Sequence, residues 1–362
     1  MGLKSLLSRM QQNALLITEK YGNFVRGTRP VPQVGPGEIL VRVKAAALNP
    51  ADWKIQKYGF IVNEYPAVLG GDIAGDVIEI GEGVSRFSVG DRVFGPCLFR
   101  ADYSAFQEFC KLKEGLAAKV PESLSYEQAS TFPIAILAAW FGLYNAPPYG
   151  MGLTPLPSGT GKYTGQPILV IGGSSSVGQF AIQLAKAAGF SPIITTASPK
   201  HTDMLKSLGA THIIDRNTPP TNIRTELAKI IGPAGKVNDP SSSGVIHYIF
   251  DSISEKETQT AAYDLLTPGG KLALVLPSFV PADSQTPDKH ISSTNGMPDA
   301  PHNVGLLGAL YSGITAMIEN GTLTPNKVEV IPGGLDGIVE GLKRLENNQV
   351  SGVKLVVRIS EN

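Results

Sequence analysis

Pro167-Ile-Leu-Val-Ile-Gly-Gly-Ser-Ser-Ser-Val-Gly-Gln-Phe-Ala-Ile-Gln-Leu-Ala-Lys-Ala-Ala-Gly189 is the stretch that decides the fold. Ile168 to Ile171 is a short run of branched apolar residues, the pattern of a parallel strand buried on both faces. Gly172, Gly173 and Gly178, with Ser174, Ser175 and Ser176 between them, read as a small-residue turn. An amphipathic helix is predicted from about Val177 to Ala188, with Gly189 as its C-cap. Strand, turn and helix in this order lay a pyrophosphate on a helix N-terminus, where unpaired amides and the helix dipole both favour an anion. Gly173, Ser175 and Gly178 fall on the three positions of a G-x-G-x-x-G fingerprint, with serine in the middle. The alternative is an ordinary tight strand-to-helix turn.

Downstream, strands and helices keep alternating. Strands are expected at Pro192 to Thr196, His212 to Ile214, Val245 to Phe250 (ending at Asp251) and Lys271 to Leu276. A helix is expected over Lys200 to Leu208, closed by Gly209. This alternation predicts a doubly wound parallel sheet. Ser278 to Asn303 is polar and Pro-rich and reads as an exposed loop; Val304 to Asn320 is a helix, and Val350 to Ile359 a closing strand. Upstream, Ala14 to Val120 is a series of short apolar runs broken by Gly and Pro, as in a small β-barrel-like domain. Tyr126 to Tyr144 has helical spacing, and the Pro- and Gly-rich segment from Ala146 to Gly165 reads as a surface loop.

The chain has 362 residues, enough for two domains, and Lys+Arg and Asp+Glu balance at 31 each. No basic excess points to nucleic acid or an anionic membrane. Two cysteines, Cys97 and Cys110, make no disulfide framework and fit a cytoplasmic protein. No apolar run approaches the roughly 20 residues of a membrane span. Met1 to Asn13, with Lys4 and Arg9 and no acid, reads as a flexible tail rather than a transit segment, and Gly2 lacks the Ser or Thr of a myristoylation signal. The Ser241 to Ser243 run suggests no nucleophile elbow, and the five histidines show no metal spacing.

The order of these pieces resembles the medium-chain dehydrogenase/reductase superfamily. The likeness is carried by Leu48-Asn-Pro-Ala-Asp-Trp-Lys54, Gly70-Gly-Asp-Ile-Ala-Gly-Asp-Val77, Val89-Gly-Asp-Arg-Val-Phe-Gly95, the Gly172 to Gly178 turn and Leu266-Thr-Pro-Gly-Gly-Lys271. It implies an α/β chain in which a Rossmann doubly wound parallel sheet, residues 131–299, is inserted in a GroES-like β-barrel domain, residues 1–130 plus 300–362. Within the superfamily the chain looks most like the zinc-free quinone-reductase-like and fungal trans-enoyl reductases. Zinc-dependent relatives hold their metal with a Cys and a downstream His-Glu pair. Here Asn49 and Pro50 stand at the first place and Gly71-Asp72 at the second, so no metal is expected.

After the turn, an NAD-specific protein places an acid about 20 residues on, to hold the ribose. Thr195-Thr-Ala-Ser-Pro-Lys-His201 has none, and Ser198 and Lys200 lie where a 2′-phosphate would sit, so NADPH is the expected cofactor. Ser198-Pro199 also reads as a helix N-cap followed by Pro at N1. Arg216 stands where relatives often carry a Tyr, as a possible second cation. By resemblance, Asn49, Pro50, Asp52, Trp53, Asp251, Leu276, Pro277, Val353 and Lys354 approach the cofactor. Lys54 is the first candidate proton or hydrogen-bond donor, against a surface salt-bridge lysine; Tyr58 is the second, against a packed aromatic. The Thr that relatives often have at the next helix is Ala138 here, which leaves Trp140 and Phe141 to line a substrate pocket or to serve as core; by resemblance Val304 and Gly305 also approach the substrate pocket. The expected reaction is hydride transfer to the β-carbon of an enone, enal or enoyl thioester. Quinone reduction and non-catalytic NADPH binding are the rivals. A polyketide synthase carrier protein is a possible partner, and the protein is a monomer or a homodimer.

Overall fold

The computed structural model describes residues 10–232 and 244–359. Residues 1–9 of the expected N-terminal tail and the Ser241 to Ser243 run lie outside the described residues; Gln11 to Asn13, expected in that tail, instead begin a strand. The chain divides into two compact units. Unit 1 runs to Ile134 and takes up Leu307–Asn320 and the chain from Pro325 onward; unit 2 is Ala135–Leu306 with Gly321–Thr324.

Unit 1 opens with β1 (Gln11–Ile17), β2 (Phe24–Pro30), β3 (Glu38–Ala47), β4 (Ala67–Val68), β5 (Asp72–Ile80), β6 (Arg92–Pro96), β7 (Phe109–Lys113) and β8 (Ala118–Lys119). Helix α1 (Pro50–Tyr58) follows β3 directly. β1 lies between β2 and β4, while β3, β5, β6 and β8 are neighbours in a second antiparallel sheet, with β7 also on β3. Ile39, Leu40, Val41 and Val43 of β3 are all fully buried, as expected of β-branched and aliphatic residues at the centre of a sheet. The predicted helix from Tyr126 to Tyr144 is two pieces, α2 (Tyr126–Ala129) and α3 (Pro133–Tyr144). Pro133 cannot continue a helix but starts one well.

Unit 2 contains β9 (Ile168–Ile171), β10 (Ile193–Ala197), β11 (His212–Asp215), β12 (Ile246–Asp251), β13 (Leu266–Leu274) and β14 (His290–Ser293). They form one parallel sheet in the order β11-β10-β9-β12-β13-β14, interleaved with α4 (Ser176–Ala187), α5 (Thr202–Leu208), α6 (Pro220–Ile231) and α7 (Lys256–Leu265). Every residue of β9 is buried. The chain winds outward from β9 to β11 and then returns to β9's other side at β12. That reversal opens a crevice at the carboxyl ends of β9 and β12. The C-cap of α4 is Ala188 rather than the expected Gly189, which follows it with a left-handed φ of 91°.

Ser278 to Asn303 is not all loop, because it contains β14; His-Ile-Ser-Ser is polar since this strand lies at the sheet edge. The segment from Ala146 to Gly165 is more than a surface loop. It covers that edge: Ser293 N–H donates to the Pro148 carbonyl at 2.9 Å and Ser292 Oγ to the Gly150 carbonyl at 2.8 Å. Met151, Leu153 and Leu156 of this segment are buried.

α8 (Val304–Glu319) leads back to unit 1, where β15 (Val328–Ile331), α9 (Gly334–Glu346) and β16 (Lys354–Arg358) complete it. β16 pairs antiparallel with β3, Val356 facing Ala47, and parallel with β15, which closes a seven-stranded sheet.

Candidate active site

In unit 2 the turn after β9 has no room for side chains. A Cβ at Gly173 would overlap Thr195 Oγ1, and one at Gly178 would overlap the Gly172 carbonyl oxygen. Gly172 itself has φ 76°. Ser175 is the N-cap of α4: its Oγ accepts from Gly178 N at 2.9 Å and meets Ser252 Oγ at 2.9 Å. The serine in the middle of the fingerprint therefore ties the turn to the end of β12. Ser174, Ser175, Ser176 and Val177 remain half-buried at the mouth of the crevice, with the helix dipole behind them. This cradle fits a dinucleotide pyrophosphate.

Ser198, Lys200 and Arg216 come together at the neighbouring strand ends. Ser198 precedes a short 3₁₀ turn, Pro199–His201, and its hydroxyl caps no amide of that turn. Arg216 N–H donates to the Ala197 carbonyl at 3.0 Å, which fixes the Arg beside the end of β10. His201, which sequence reasoning passed over, belongs here too. Burial, then the charges of Lys200 and Arg216, hold its pKa below the usual histidine value. A spot where positive charges crowd one another is suited to an anion.

The other candidates in unit 2 divide. Asp251 is fully buried, its Oδ1 accepting from Ile253 N at 2.9 Å and Ser254 N at 2.8 Å, its Oδ2 from Thr258 Oγ1 at 2.7 Å. It shapes the turn after β12, and burial raises its pKa. Leu276 is half-buried and Pro277 exposed, the Pro277 carbonyl accepting from Gln259 Nε2 at 3.1 Å. Val304 is 58% exposed, and Gly305 has open space on its Cβ side. Trp140 and Phe141 are fully buried, and the indole N–H donates to the Leu306 carbonyl at 3.1 Å. Both side chains sit in the core on the apolar, Ala-rich helix α3.

In unit 1 the candidates gather on α1. Asn49 is its N-cap, Pro50 its first residue and Asp52 its third. Asp52 Oδ2 accepts from Asn49 N at 2.8 Å. Asp52 is fully buried; that burial, with the charge of Asp72 adding, pushes its carboxyl up to about 7, against the opposing Asn49 amide and Lys354. The Asn49 side chain turns inward. Its Nδ2 donates to Asp72 Oδ2 at 2.8 Å, and its Oδ1 accepts from Lys354 Nζ at 2.5 Å. Lys354 lies 3.2 Å from Asp72 Oδ2, and Asp72 Oδ1 accepts from Ile134 N at 2.6 Å. The side chain of Lys354 is thus engaged inside unit 1, and Val353 beside it is half-buried. On the outer side of α1, Lys54 is half-exposed and makes no ion pair among the described residues. Its Nζ stands 5.6 Å from the Trp53 ring centroid. Tyr58 is 57% exposed, its ring 6.1 Å from that of Trp53.

Residues 35–122 match the alcohol dehydrogenase GroES-like domain, and residues 176–289 match the family described as zinc-binding dehydrogenase. The chain is 31% identical to the trans-enoyl reductase himH of Aspergillus japonicus, over 91% of this chain and 94% of that protein. It is 34% identical to the dehydrogenase azaJ of Aspergillus niger, over 96% and 98%. A solved alcohol dehydrogenase superfamily protein from Novosphingobium aromaticivorans superposes with a TM-score of 0.77 at 25% identity, covering 96% of this chain and all (100%) of the other. The zinc in the second family's description does not fit these residues. Among the described residues no group of three or more His, Cys, Asp or Glu is placed to hold a metal. Asn49, Gly71 and Asp72, which the resemblance sets at the metal-ligand positions, supply no His or Cys, and the Lys354 ammonium lies between Asn49 and Asp72. The chain is an oxidoreductase and belongs to the medium-chain dehydrogenase/reductase superfamily, as a relative of the fungal trans-enoyl reductases and dehydrogenases.

Proposed function

We propose that this enzyme uses NADPH to reduce C=C bonds conjugated to a carbonyl, in enones, enals or enoyl thioesters, in the cytoplasm. The observation that carries the reading is Lys54, a cation on α1 with no carboxylate partner among the described residues, beside Trp53. A free ammonium can donate to a carbonyl oxygen and stabilise the charge that develops there. The trans-enoyl reductase himH, alike over nearly its whole length, supports the substrate class.

Ser174 to Gly178 would hold the pyrophosphate, and Ser198, Lys200 and Arg216 the 2′-phosphate; when bound, NADPH supplies the hydride. The residues of the chain do the rest. Lys54 orients the substrate carbonyl and stabilises the enolate, Tyr58 being the second candidate. Proton delivery to the α-carbon completes the reaction, from one of these groups or from water. The substrate is a small molecule, free or carried as a thioester by a polyketide synthase carrier protein.

The test is NADPH oxidation with a small enone, a 2-enoyl thioester and a simple quinone, with NADH run beside it. Saturated product from the enone or thioester, with NADPH preferred, is the expected result. Turnover of the quinone alone would move the enzyme to quinone reduction.

A further inference from the structure

Among the described residues of unit 1, Lys354 is a buried ammonium that the proposed reaction does not use. Lys354 is 3% exposed, at the first position of β16. A lone ammonium at that depth would lose several kcal/mol of hydration, so its partners must be exact in charge and geometry. Three strand ends supply them. Ala47 of β3 faces Asp72 of β5, and Leu48 N–H donates to the Leu355 carbonyl of β16 at 2.9 Å. Asn49, Asp72 and Lys354 are thereby brought to one point. Asn49 can satisfy both neighbours in one orientation only: its oxygen faces the ammonium and its amide nitrogen the carboxylate. Asn49 is also where α1 begins.

We propose that Lys354 is a positioning residue: its ammonium, clamped between Asn49 and Asp72, is the built-in cation that fixes the start of α1. For catalysis the inference rests on the reading of Lys54 as the donor, since α1 carries Lys54. For the helix itself it rests only on the clamp.

Lys354→Met alone leaves Asp72 as a buried, uncompensated carboxylate and is expected to lower Tm or prevent folding. The informative variant is Lys354→Met/Asp72→Asn, which restores charge balance without the cation; Lys354→Arg keeps the cation and serves as the rescue. Amide hydrogen exchange of residues 50–58, NADPH affinity, and kcat and KM are measured on all three. The double variant should fold, exchange about 10-fold faster in α1, and lose about 10-fold in kcat with KM little changed. Lys354→Arg should recover most of both. Parental exchange and parental kcat in the double variant would reduce the pair to charge balance and overturn the proposal. Faster exchange with unchanged kcat would overturn the link to Lys54. Should the parent reduce none of the three substrates, the functional reading fails by itself, and exchange in α1 still decides the role of Lys354.

Discussion

Asp52→Asn should stabilise the protein above neutral pH and flatten its pH dependence. Asp52 is fully buried at the third position of α1; its Oδ2 accepts from Asn49 N, and its Oδ1 has no hydrogen-bond partner among the described residues. Its carboxyl is raised from 3.8 to about 7, chiefly by burial. Below about pH 4 the group is neutral both folded and unfolded and favours neither state. Between the two values the unfolded chain has lost its proton while the folded one keeps it, so stability falls as pH rises. Above about pH 7 the loss is complete. About three pH units at about 1.4 kcal/mol each place it near 4 kcal/mol. Asparagine keeps an oxygen for Asn49 N–H and carries no charge. It adds a buried amide that lacks a full set of partners, which costs about 1 kcal/mol. The variant should therefore gain about 3 kcal/mol at pH 8 and little or nothing near pH 4. Urea unfolding followed by tryptophan fluorescence at a series of pH values measures the difference directly. Parallel stability profiles for the two proteins from pH 4 to 8 would refute a raised Asp52.

The remaining expectations concern cofactor, catalysis and assembly. Gly173→Ala forces a methyl group onto Thr195 Oγ1, which is fixed by its bond to the Val170 carbonyl at 2.6 Å; a loss of about 1–3 kcal/mol and weaker NADPH binding should show in thermal melts with and without cofactor. Lys200→Ala and Arg216→Ala should each weaken NADPH binding about 10-fold, the equivalent of one charge-assisted contact, and leave NADH binding unchanged in calorimetry. Lys54→Met should lower kcat by about 100-fold at unchanged NADPH affinity, and an unchanged kcat would remove Lys54 from the chemistry. Because Pro148 occupies the edge of β14, light scattering should give the mass of a single chain; a dimer mass would mean that pairing occurs elsewhere or that the cover opens.

The nucleotide-binding core was legible because its signals are local. The apolar run before Gly172 bounds β9, and the change from glycine and serine to a helical period marks α4 within a residue. β14 was hidden because a short edge strand needs no apolar face, and His290 to Ser293 offers only Ile291. α9 and β15 were passed over although Leu335, Ile338 and Leu342 of α9 repeat at helical spacing and are buried. Trp140 and Phe141 show the limit of composition: aromatic residues near a site and aromatic residues in a core look alike in sequence. The Asn49, Asp72 and Lys354 cluster is joined by contacts across 23 and 305 residues, which no window captures. One local sign was present. Lys354 interrupts the apolar run Val353-Lys-Leu-Val-Val357, and a charge inside a buried strand needs a partner.

Asn49 is gripped from two sides, and the two grips answer differently to their surroundings. Lys354 and Asp72 hold its side chain through opposite charges that balance each other, while Asp52 holds its backbone N–H through a carboxyl that titrates near neutrality. As Asp52 ionises, its bond to Asn49 becomes charge-assisted and stronger, and the negative charge it gains faces the positive end of α1. The same ionisation lowers the stability of the folded chain. Local order at the start of α1 and global stability therefore move in opposite directions as pH rises through 7. An apolar residue at position 52 would remove the stability penalty and with it the backbone grip. The carboxyl is thus best understood as a fixture for the helix that carries Trp53, Lys54 and Tyr58, kept at the expense of the unit around it.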